Sequence, residues 1–385
     1  MATHRHGRHR ALTGCACALL AALVAGCTTA APAPTATGTS LAVYLSDPAD
    51  LGSDPTAADV VDAERLAFTQ LGSQVHGFTL TLHVLSAGKL SDNARAAIEN
   101  NNAVAYLGEI VPGSSEDTVG ITNALDLLQI SPTDNALELT QRTAAIKGAP
   151  SRYYEDWSTY GHTFARMVPT SAHEAVALLH EMESLGVKTL HIEAESTDYA
   201  RSMRSVIAGN AAAATLSLGA SSASDAVLYL GSSRTAAAAA LDAAAAANPK
   251  VKLFVPSTLA DSAFAAQLSP AAQKALYACS PGFLSRSLPA AGQAFTSSFQ
   301  ATYHHAPAPQ AIFGYAAVQA LLHVLRQAGA QANNRGTVVA DFMKLSYAGS
   351  VLGSYTIKQG DISLDSFVIE HVKSGGLVPF KALQG

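Results

Sequence analysis

Ser114 and Ser115 stand where the sequence is best suited to hold a small ligand. The apolar residues 104–107 predict a short buried strand, and a glycine-containing turn leaves it. Ser114 then occupies a helix N-cap position, with Asp117 three residues later. Free backbone N–H groups at such a strand-to-helix turn favour an anionic group, and open α/β sheets bind ligands at this edge. In the alternative interpretation, Ser114 only caps the helix that is predicted over residues 118–128.

Motifs for making or breaking bonds are missing from the sequence. It contains neither a Gly-Lys-Ser/Thr phosphate loop nor a Gly-x-Ser-x-Gly nucleophile elbow. His173 and Glu174 are not followed by a histidine at position 177, so the spacing of zinc proteases is not met. Cys279 is the one cysteine after residue 27, and we expect it to be a small buried apolar side chain rather than a nucleophile. We therefore predict no enzymatic activity, no metal site and no cofactor.

The composition indicates a large folded protein that does not bind nucleic acid. The chain has 385 residues, which is enough for one large domain or two ordinary ones. Apolar residues make up 49% and charged residues only 14%, so a sizeable core can form. The formal net charge is −5 and no basic stripe is present, which argues against a nucleic-acid partner.

The N-terminal segment predicts export and a lipid anchor. A basic start is followed by an apolar run, residues 11–25, that is shorter than the roughly 20 residues a membrane-spanning helix needs. The run ends in Leu-Val-Ala-Gly-Cys at positions 23–27, which resembles the bacterial lipobox, where cleavage precedes the cysteine. We predict a signal peptide over residues 1–26, lipidation at Cys27 and a flexible tether over residues 27–39. The alternative is an ordinary signal peptide that contains a cysteine.

Strand and helix patterns alternate along the chain after the tether. Strands are predicted over residues 40–46 and 77–85, with an amphipathic helix over residues 59–71 between them. A second series of similar plan begins after residue 169, and residues 311–328 predict a long amphipathic helix. Such alternation indicates parallel sheets with helices on both faces. The expected fold class is therefore α/β.

An aromatic segment interrupts this alternation between residues 149 and 161. It contains Tyr153, Tyr154, Trp157 and Tyr160. In one interpretation it is a surface hairpin whose aromatic rings pack on their own lobe. In the other, it forms an aromatic wall near a ligand cleft.

Several segments, taken in order, resemble one known family. They are Ile130-Ser-Pro with Glu138-Leu-Thr, Phe164-Ala-Arg-Met-Val-Pro, Ile312-Phe-Gly-Tyr-Ala-Ala-Val-Gln-Ala-Leu, and a terminal hairpin over residues 355–372. Together they resemble the type 1 periplasmic binding proteins, above all the branched-chain amino-acid-binding members that serve ABC importers. The resemblance covers about residues 40–380. It implies two doubly wound, Rossmann-like lobes that close on a small solute, joined by three crossover strands.

The resemblance also implies where the chain passes between the lobes. We expect crossovers near residues 168–169, 279–281 and 349–353. The first lobe then comprises residues 40–168 and 282–350. The second lobe comprises residues 169–281 and 351–385.

Candidate ligand-binding residues follow from the same resemblance. Ser114 and Ser115 match the family's serine turn, which takes the carboxylate of the solute. The other candidates come from loops of both lobes and are Thr133, Asp134, Asn135, Tyr199, Ser233 and Ser257. Tyr199 matches a tyrosine that closes over the ligand from the second lobe. Ser257 stands where amino-acid binders place an acidic residue for the ammonium group of the ligand.

Two departures from the family's pattern bear on the ligand. Ser257 cannot neutralise a buried ammonium, so an α-amino acid needs another acid, such as Glu109 or Asp134. Glu116 and Asp117 add negative charge beside the serine turn, which opposes a ligand carboxylate. The chemical identity of the solute therefore stays open.

The resemblance leads to one functional prediction and two alternatives. We expect a monomeric, lipid-anchored, extracytoplasmic protein that captures a small polar solute, such as an amino acid or an amide, and delivers it to an ABC permease in the membrane. The first alternative is a ligand-sensing lipoprotein that signals to a membrane receptor or kinase. The second is an enzyme on this scaffold, which requires an acid, a base and a nucleophile that converge in the cleft.

Overall fold

The structure is a computed structural model that describes residues 33–47, 55–154, 161–219 and 224–384. The predicted signal peptide and Cys27 lie outside the described residues, as do Trp157 and Tyr160. Among the described helices, none combines the length and apolarity that crossing a membrane requires.

The described residues form sixteen strands and eleven α-helices. The strands, in chain order, are β1 (Ser40–Ser46), β2 (Gln74–Val75), β3 (Phe78–Leu85), β4 (Ala103–Leu107), β5 (Leu128–Ser131), β6 (Phe164–Arg166), β7 (Thr189–Ala194), β8 (Ser217–Leu218), β9 (Ala226–Leu230), β10 (Lys252–Val255), β11 (Leu276–Pro281), β12 (Ser346–Ser350), β13 (Gly353–Lys358), β14 (Asp361–Ile362), β15 (Phe367–Lys373) and β16 (Gly376–Leu383). The helices are α1 (Pro55–Leu71), α2 (Leu90–Glu99), α3 (Val119–Ala124), α4 (Ser171–Ser184), α5 (Asp198–Asn210), α6 (Arg234–Ala247), α7 (Ser262–Ala265), α8 (Pro270–Ala275), α9 (Ala290–Tyr303), α10 (Ala311–Ala328) and α11 (Arg335–Phe342).

Two large sheets organise the chain. In the described residues, the first sheet has the order β2-β3-β1-β4-β5-β6, and its strands are parallel except for β2. The second sheet has the order β8-β7-β9-β10-β11-β15-β16. The strands from β8 to β11 are parallel to one another, β15 pairs antiparallel with β11, and β16 pairs antiparallel with β15. The strand order reverses beside β1 and beside β7, so the carboxyl ends of these strands mark the ligand-binding edge of each sheet.

Apolar side chains cover both faces of each sheet. Helices α1 and α10 pack on one face of the first sheet, and α2 packs on the other. Helices α4 and α5 pack on one face of the second sheet, and α6 and α8 on the other. Buried side chains of α10 such as Phe313, Leu321 and Leu325 each stabilise the fold by about 1.5–3 kcal/mol. The predicted α/β class with two doubly wound units is confirmed, as is the helix predicted over residues 311–328.

The small sheet β12-β13-β14 corrects the predicted division of the chain. Tyr355 and Ile357 alternate into the first core, so residues 353–362 pack with the first sheet rather than with the second. The predicted terminal hairpin over residues 355–372 is wrong, because β13 pairs with β12 and β14 whereas β15 pairs with β11 and β16. The last crossing between the sheets therefore lies at residues 363–366, not at 349–353.

The other two crossings lie close to the predicted positions. The chain leaves β6 and enters α4 through residues 167–170. Residues 279–281 are the end of β11, and the chain crosses directly after them, through residues 282–289. We use "first lobe" for the first sheet with α1–α3, α9–α11 and β12–β14, and "second lobe" for the second sheet with α4–α8.

The start of the described chain corrects the predicted tether. The backbone N–H of Ala36 donates to the carbonyl of Asn333 at 2.8 Å, and the N–H of Arg335 donates to the carbonyl of Pro34 at 3.2 Å. Ala33 and Ala36 are buried. The predicted flexible tether over residues 27–39 thus overlaps a segment that pairs with the first lobe.

The helix after the serine turn is shorter than predicted. Residues 118–128 predict one continuous helix, whereas α3 ends at Ala124. Asp126 adopts a left-handed φ of 52°, and the N–H of Leu127 folds back to the carbonyl of Thr122. This turn closes the helix and lets β5 begin at Leu128.

Gly314 sets the distance between α10 and α1. A Cβ atom at this position would lie 2.3 Å from the carbonyl oxygen of Val60 and 3.2 Å from Cγ of Glu64. We predict that Gly314→Ala lowers the free energy of unfolding by about 1–3 kcal/mol, because overpacking forces the two helices apart. Urea denaturation measures the change.

Gly209 in α5 is the matched control, because a Cβ there meets no heavy atom within 4 Å. Gly209→Ala should leave stability unchanged or raise it by up to about 1 kcal/mol through helix propensity. Equal effects of the two substitutions would contradict a close α1–α10 contact.

Candidate functional site

Loops from the carboxyl edges of both sheets meet around a cavity of about 210 Å³, here called the interlobe cavity. The first lobe lines it with Val111, Pro112, Gly113, Ser114 and Glu116. The second lobe lines it with Thr197, Asp198, Tyr199, Gly231, Ser232 and Thr258. The lobes are in contact here, since a Cβ on Gly113 would lie only 3.4 Å from Cβ of Tyr199.

The serine turn, residues 113–117, holds a carboxylate of the chain itself. The Asp134 carboxylate accepts the backbone N–H of Gly113 at 2.6 Å, of Ser115 at 2.8 Å and of Ala136 at 3.1 Å. The Ser114 hydroxyl donates to the carbonyl of Val111 at 2.6 Å. The amides that the sequence assigned to a ligand carboxylate are therefore bound from within the first lobe.

Arg166 fixes the loop that carries Asp134. This fully buried guanidinium donates to the carbonyls of Asp134 at 3.1 Å and Ala136 at 2.8 Å, and its Nε lies 3.0 Å from Asp361 Oδ1. Asp361 belongs to β14, so one buried cation ties the small sheet to the edge of the first sheet. An arginine within the apolar run of β6 was a sequence signal for this role.

The loop after β9 repeats the same arrangement in the second lobe. The Glu195 carboxylate accepts the backbone N–H of Ser232 at 3.2 Å and of Ser233 at 3.0 Å, as well as the hydroxyl of Tyr229 at 2.8 Å. A Cβ on Gly231 would lie 2.2 Å from Cδ of Glu195, so a side chain there would displace this carboxylate. The Ser233 hydroxyl caps α6, and Ser232 lines the cavity where Ser233 was predicted to do so.

Glu174 joins the two lobes behind Tyr199. Its carboxylate accepts the Asn135 amide at 2.6 Å, the Ser257 backbone N–H at 2.6 Å, the Ser257 hydroxyl at 3.0 Å and the Tyr199 hydroxyl at 3.4 Å. Asn135 lies in the first lobe, whereas Glu174, Ser257 and Tyr199 lie in the second. Burial raises the pKa of Glu174 to about 7, although the four hydrogen bonds oppose this shift. Three predicted site residues are thus brought together by an acid that the sequence did not suggest.

The remaining predicted residues stabilise the first lobe. The Thr133 hydroxyl donates to the carbonyl of Ile110 at 2.6 Å. The Ser115 hydroxyl is buried and accepts the N–H of Glu109 at 3.2 Å. The Glu109 carboxyl accepts the hydroxyls of Ser46 and Tyr106 and is turned away from the interlobe cavity. Glu109 is therefore not placed to replace the missing acid at position 257.

Two acids line the interlobe cavity instead. Burial and the nearby Asp198 raise the pKa of Glu116. Burial also opposes ionisation of Asp198, but hydrogen bonds from Tyr153 and Arg201 lower its pKa overall. Arg152 adds a contact to Asp198 at 3.5 Å. The pKa values of the two cavity carboxyls are thus shifted in opposite directions.

The described part of the aromatic segment borders this site. The Tyr153 hydroxyl donates to Asp198 Oδ2 at 2.6 Å and so reaches across to the second lobe. The Tyr154 hydroxyl donates to the carbonyl of Leu139 at 2.9 Å, and its ring stacks on His162. One tyrosine supports a cavity acid and the other packs within the fold.

Among the described residues, no group of three or more His, Cys, Asp or Glu side chains is arranged to hold a metal ion. Cys279 is fully buried, and burial raises the pKa of its thiol well above the usual value. The expected buried, apolar role of this cysteine is confirmed.

Comparison with solved structures gives the fold class a name. A leucine-binding protein, LivK, from Thermotoga maritima superposes with a TM-score of 0.73 at 15% identity, covering 90% of this chain and 99% of the other. The branched-chain amino-acid transporter protein LivJ from Streptococcus pneumoniae, in complex with isoleucine, gives 0.67 at 13% identity over 90% and 99%. A solute-binding protein of an ABC transporter from R. palustris, in complex with benzoate, gives 0.67 at 19% identity over 90% and 96%.

The chain therefore has the type 1 periplasmic binding protein fold, as the sequence resemblance implied. No family model matches the sequence. No curated protein sequence matches it either.

We predict that the free energy of unfolding falls as the pH rises from about 4.5 to about 7. Glu174 has a folded-state pKa of about 7 against an ordinary value of 4.5, so the folded state retains its proton after the unfolded state has lost it. The stabilisation is fully present below pH 4.5 and is lost as the pH passes 7. Buried Glu109, Glu138 and Glu370 shift in the same direction.

Glu174→Gln should therefore flatten this pH dependence in urea denaturation at pH 5, 6 and 7. Glu99→Gln, at an exposed glutamate of α2, is the control and should keep the wild-type slope. Identical slopes in all three proteins would show that Glu174 does not titrate on folding.

Proposed function

We propose that the protein captures a small polar solute in the interlobe cavity and hands it to an ABC importer. The observation that carries the proposal is the cavity of about 210 Å³ at the carboxyl edges of both sheets, lined by residues of both lobes. A solute that contacts Ser114 and Tyr199 at once stabilises the closed arrangement by its higher affinity for that arrangement. No bond is made or broken in this mechanism.

The crossings supply the motion that capture needs. The lobes are connected at residues 167–170, 282–289 and 363–366, and rotation about these short segments opens the cavity. Three hydrogen bonds to a charged group at about 1.5–3 kcal/mol each, together with burial of a small apolar group, leave room for micromolar affinity, which corresponds to about −8 kcal/mol.

The membrane partners follow from the predicted lipid anchor. A lipid on Cys27 keeps the protein, as a monomer, at the extracytoplasmic face of the membrane. Anchoring raises the effective concentration of the loaded protein near a permease. The solved structures of similar fold include proteins of ABC transporters, which supports a permease as the partner.

We predict that a solute found by a thermal-shift screen of amino acids, amides, small acids and amines binds about tenfold more weakly to Tyr199→Ala. Tyr199 lines the cavity and closes it from the second lobe. Isothermal titration calorimetry of residues 33–385 gives the affinities, and small-angle X-ray scattering reports the compaction on closure.

Tyr347→Ala is the matched control, because Tyr347 lies in the small sheet and does not line the interlobe cavity. Its affinity for the solute should equal that of the wild type. If Tyr199→Ala binds as tightly as Tyr347→Ala, the solute does not bind between the lobes and the proposal fails.

We predict that Cys27→Ser moves the protein from the membrane fraction to the soluble extracytoplasmic fraction in a bacterial host. The thioether to lipid requires the cysteine sulfur, and serine cannot replace it. The lipid is detected by metabolic labelling with palmitate, and Cys279→Ser serves as the control that keeps its label. Labelled and membrane-bound Cys27→Ser protein would refute the anchor.

A further inference from the structure

Three loops at the interlobe cavity have their backbone donors occupied by the protein's own carboxylates. Asp134 binds the amides of Gly113 and Ser115, and Glu195 binds those of the loop after β9. Glu174 binds the amide of Ser257 after β10. Backbone N–H groups at the carboxyl edges of parallel strands are ordinary sites for a ligand anion. At these three loops an internal anion already fills that role.

Three of the five hydroxyl groups that line the cavity in the described chain donate their protons within the protein. Ser114 donates to the carbonyl of Val111 at 2.6 Å, and Thr258 donates to the carbonyl of Gly231 at 2.6 Å. The Tyr199 hydroxyl is directed to Glu174. These hydroxyls therefore offer a ligand lone pairs rather than protons.

Two acids line the cavity, and one of them is paired: Asp198 contacts Arg201 and Arg152, whereas Glu116 has no ion pair among the described residues. Glu116 and Asp198 are the charged residues that line it among the described residues. Asp198 stands in the first turn of α5 and so offsets the positive end of that helix. In the cluster behind Tyr199, Oδ1 of Asn135 is fully buried and has no hydrogen-bond partner in the described chain. This acceptor lies behind the cavity, because Asn135 is not one of the residues that line it.

We propose that the interlobe cavity selects a small organic cation, a protonated amine that carries no carboxylate. This inference rests on the proposed function and specifies the class of its solute. An ammonium group has three donors and no acceptor, which matches carboxylates and hydroxyl lone pairs at the cavity. A carboxylate on the same solute would stand next to Glu116 and would find the amides of Gly113 and Ser115 already bound by Asp134.

An isosteric series tests the charge preference directly. 3-Methylbutylamine, leucine and 4-methylpentanoate share a 3-methylbutyl group that carries an ammonium, both charged groups or a carboxylate, respectively. Benzylamine and benzoate form a second pair. Calorimetric titration of the wild-type protein should give at least about tenfold tighter binding for each amine than for its acid, and leucine should bind more weakly than 3-methylbutylamine. Tyr199→Ala should weaken amine binding.

Comparison of Glu116→Gln with Asp117→Asn distinguishes the effect of a charge that lines the cavity from the effect of a charge next to it. Both side chains are exposed, but Glu116 lines the cavity and the adjacent Asp117 does not. We expect Glu116→Gln to weaken 3-methylbutylamine binding about fivefold, which corresponds to about 1 kcal/mol. Asp117→Asn should change it less than twofold.

The outcomes distinguish this inference from the proposed function. If the acids or leucine bind more tightly than the amines and lose affinity in Tyr199→Ala, the cation preference is wrong and solute capture stands. If neither amine binds, the cation preference is also wrong. Amine binding that persists unchanged in Tyr199→Ala places the amine outside the cavity and overturns the inference.

Discussion

The arrangement at the edge of the first sheet depends on the Asp134 carboxylate. It holds the serine turn through the amides of Gly113 and Ser115, and hydrogen bonds to a charged acceptor contribute about 1.5–3 kcal/mol each. Arg166 holds the carbonyl groups of the same loop and reaches Asp361 in the small sheet. One chain of buried polar contacts therefore fixes the turn, the loop and the last segment of the first lobe. A turn held in this way is organised before any solute arrives.

Glu174 continues these buried polar contacts from the first lobe into the second. It lies in the first turn of α4, directly after the first crossing, and binds Asn135 on one side and Ser257 on the other. A buried carboxylate with several donors is stable only while those donors stay in place. The contact therefore favours the closed arrangement without a solute, and opening exposes an acid to water. A solute shifts this balance only by the difference between its affinities for the open and closed arrangements.

The sequence predicted what depends on periodicity and on the ends of strands. The alternation of strands and helices identified both sheets, and the apolar face of residues 311–328 identified α10. The serine turn was placed at the sheet edge because parallel strands bring their carboxyl ends together, whereas Asp134 and Tyr199 were placed there by the family resemblance. The same rule applied to β7 would have suggested Glu195, which directly follows it.

What the sequence left unresolved depends on contacts between distant segments. Asn135 and Ser257 are 122 residues apart, and the acid between them comes from a third segment with no local signal. The wrong terminal hairpin has the same origin, because two strands close in sequence were assumed to pair, whereas their apolar faces belong to different cores. Pairing partners are set by which core buries a strand, and a local pattern does not carry that information.

The fold does not determine which charge the solute carries. Benzoate and isoleucine, with which two proteins of this fold were solved, both carry a carboxylate. The likeness to those proteins transfers the backbone scaffold, and a site on a scaffold is decided by the side chains at its loops. Here the carboxyl groups of Asp134, Glu174 and Glu195 occupy the loop amides before a solute enters. Since like charges without donors repel each other at a buried site, an internal carboxylate at these loops opposes the entry of a second carboxylate from a solute.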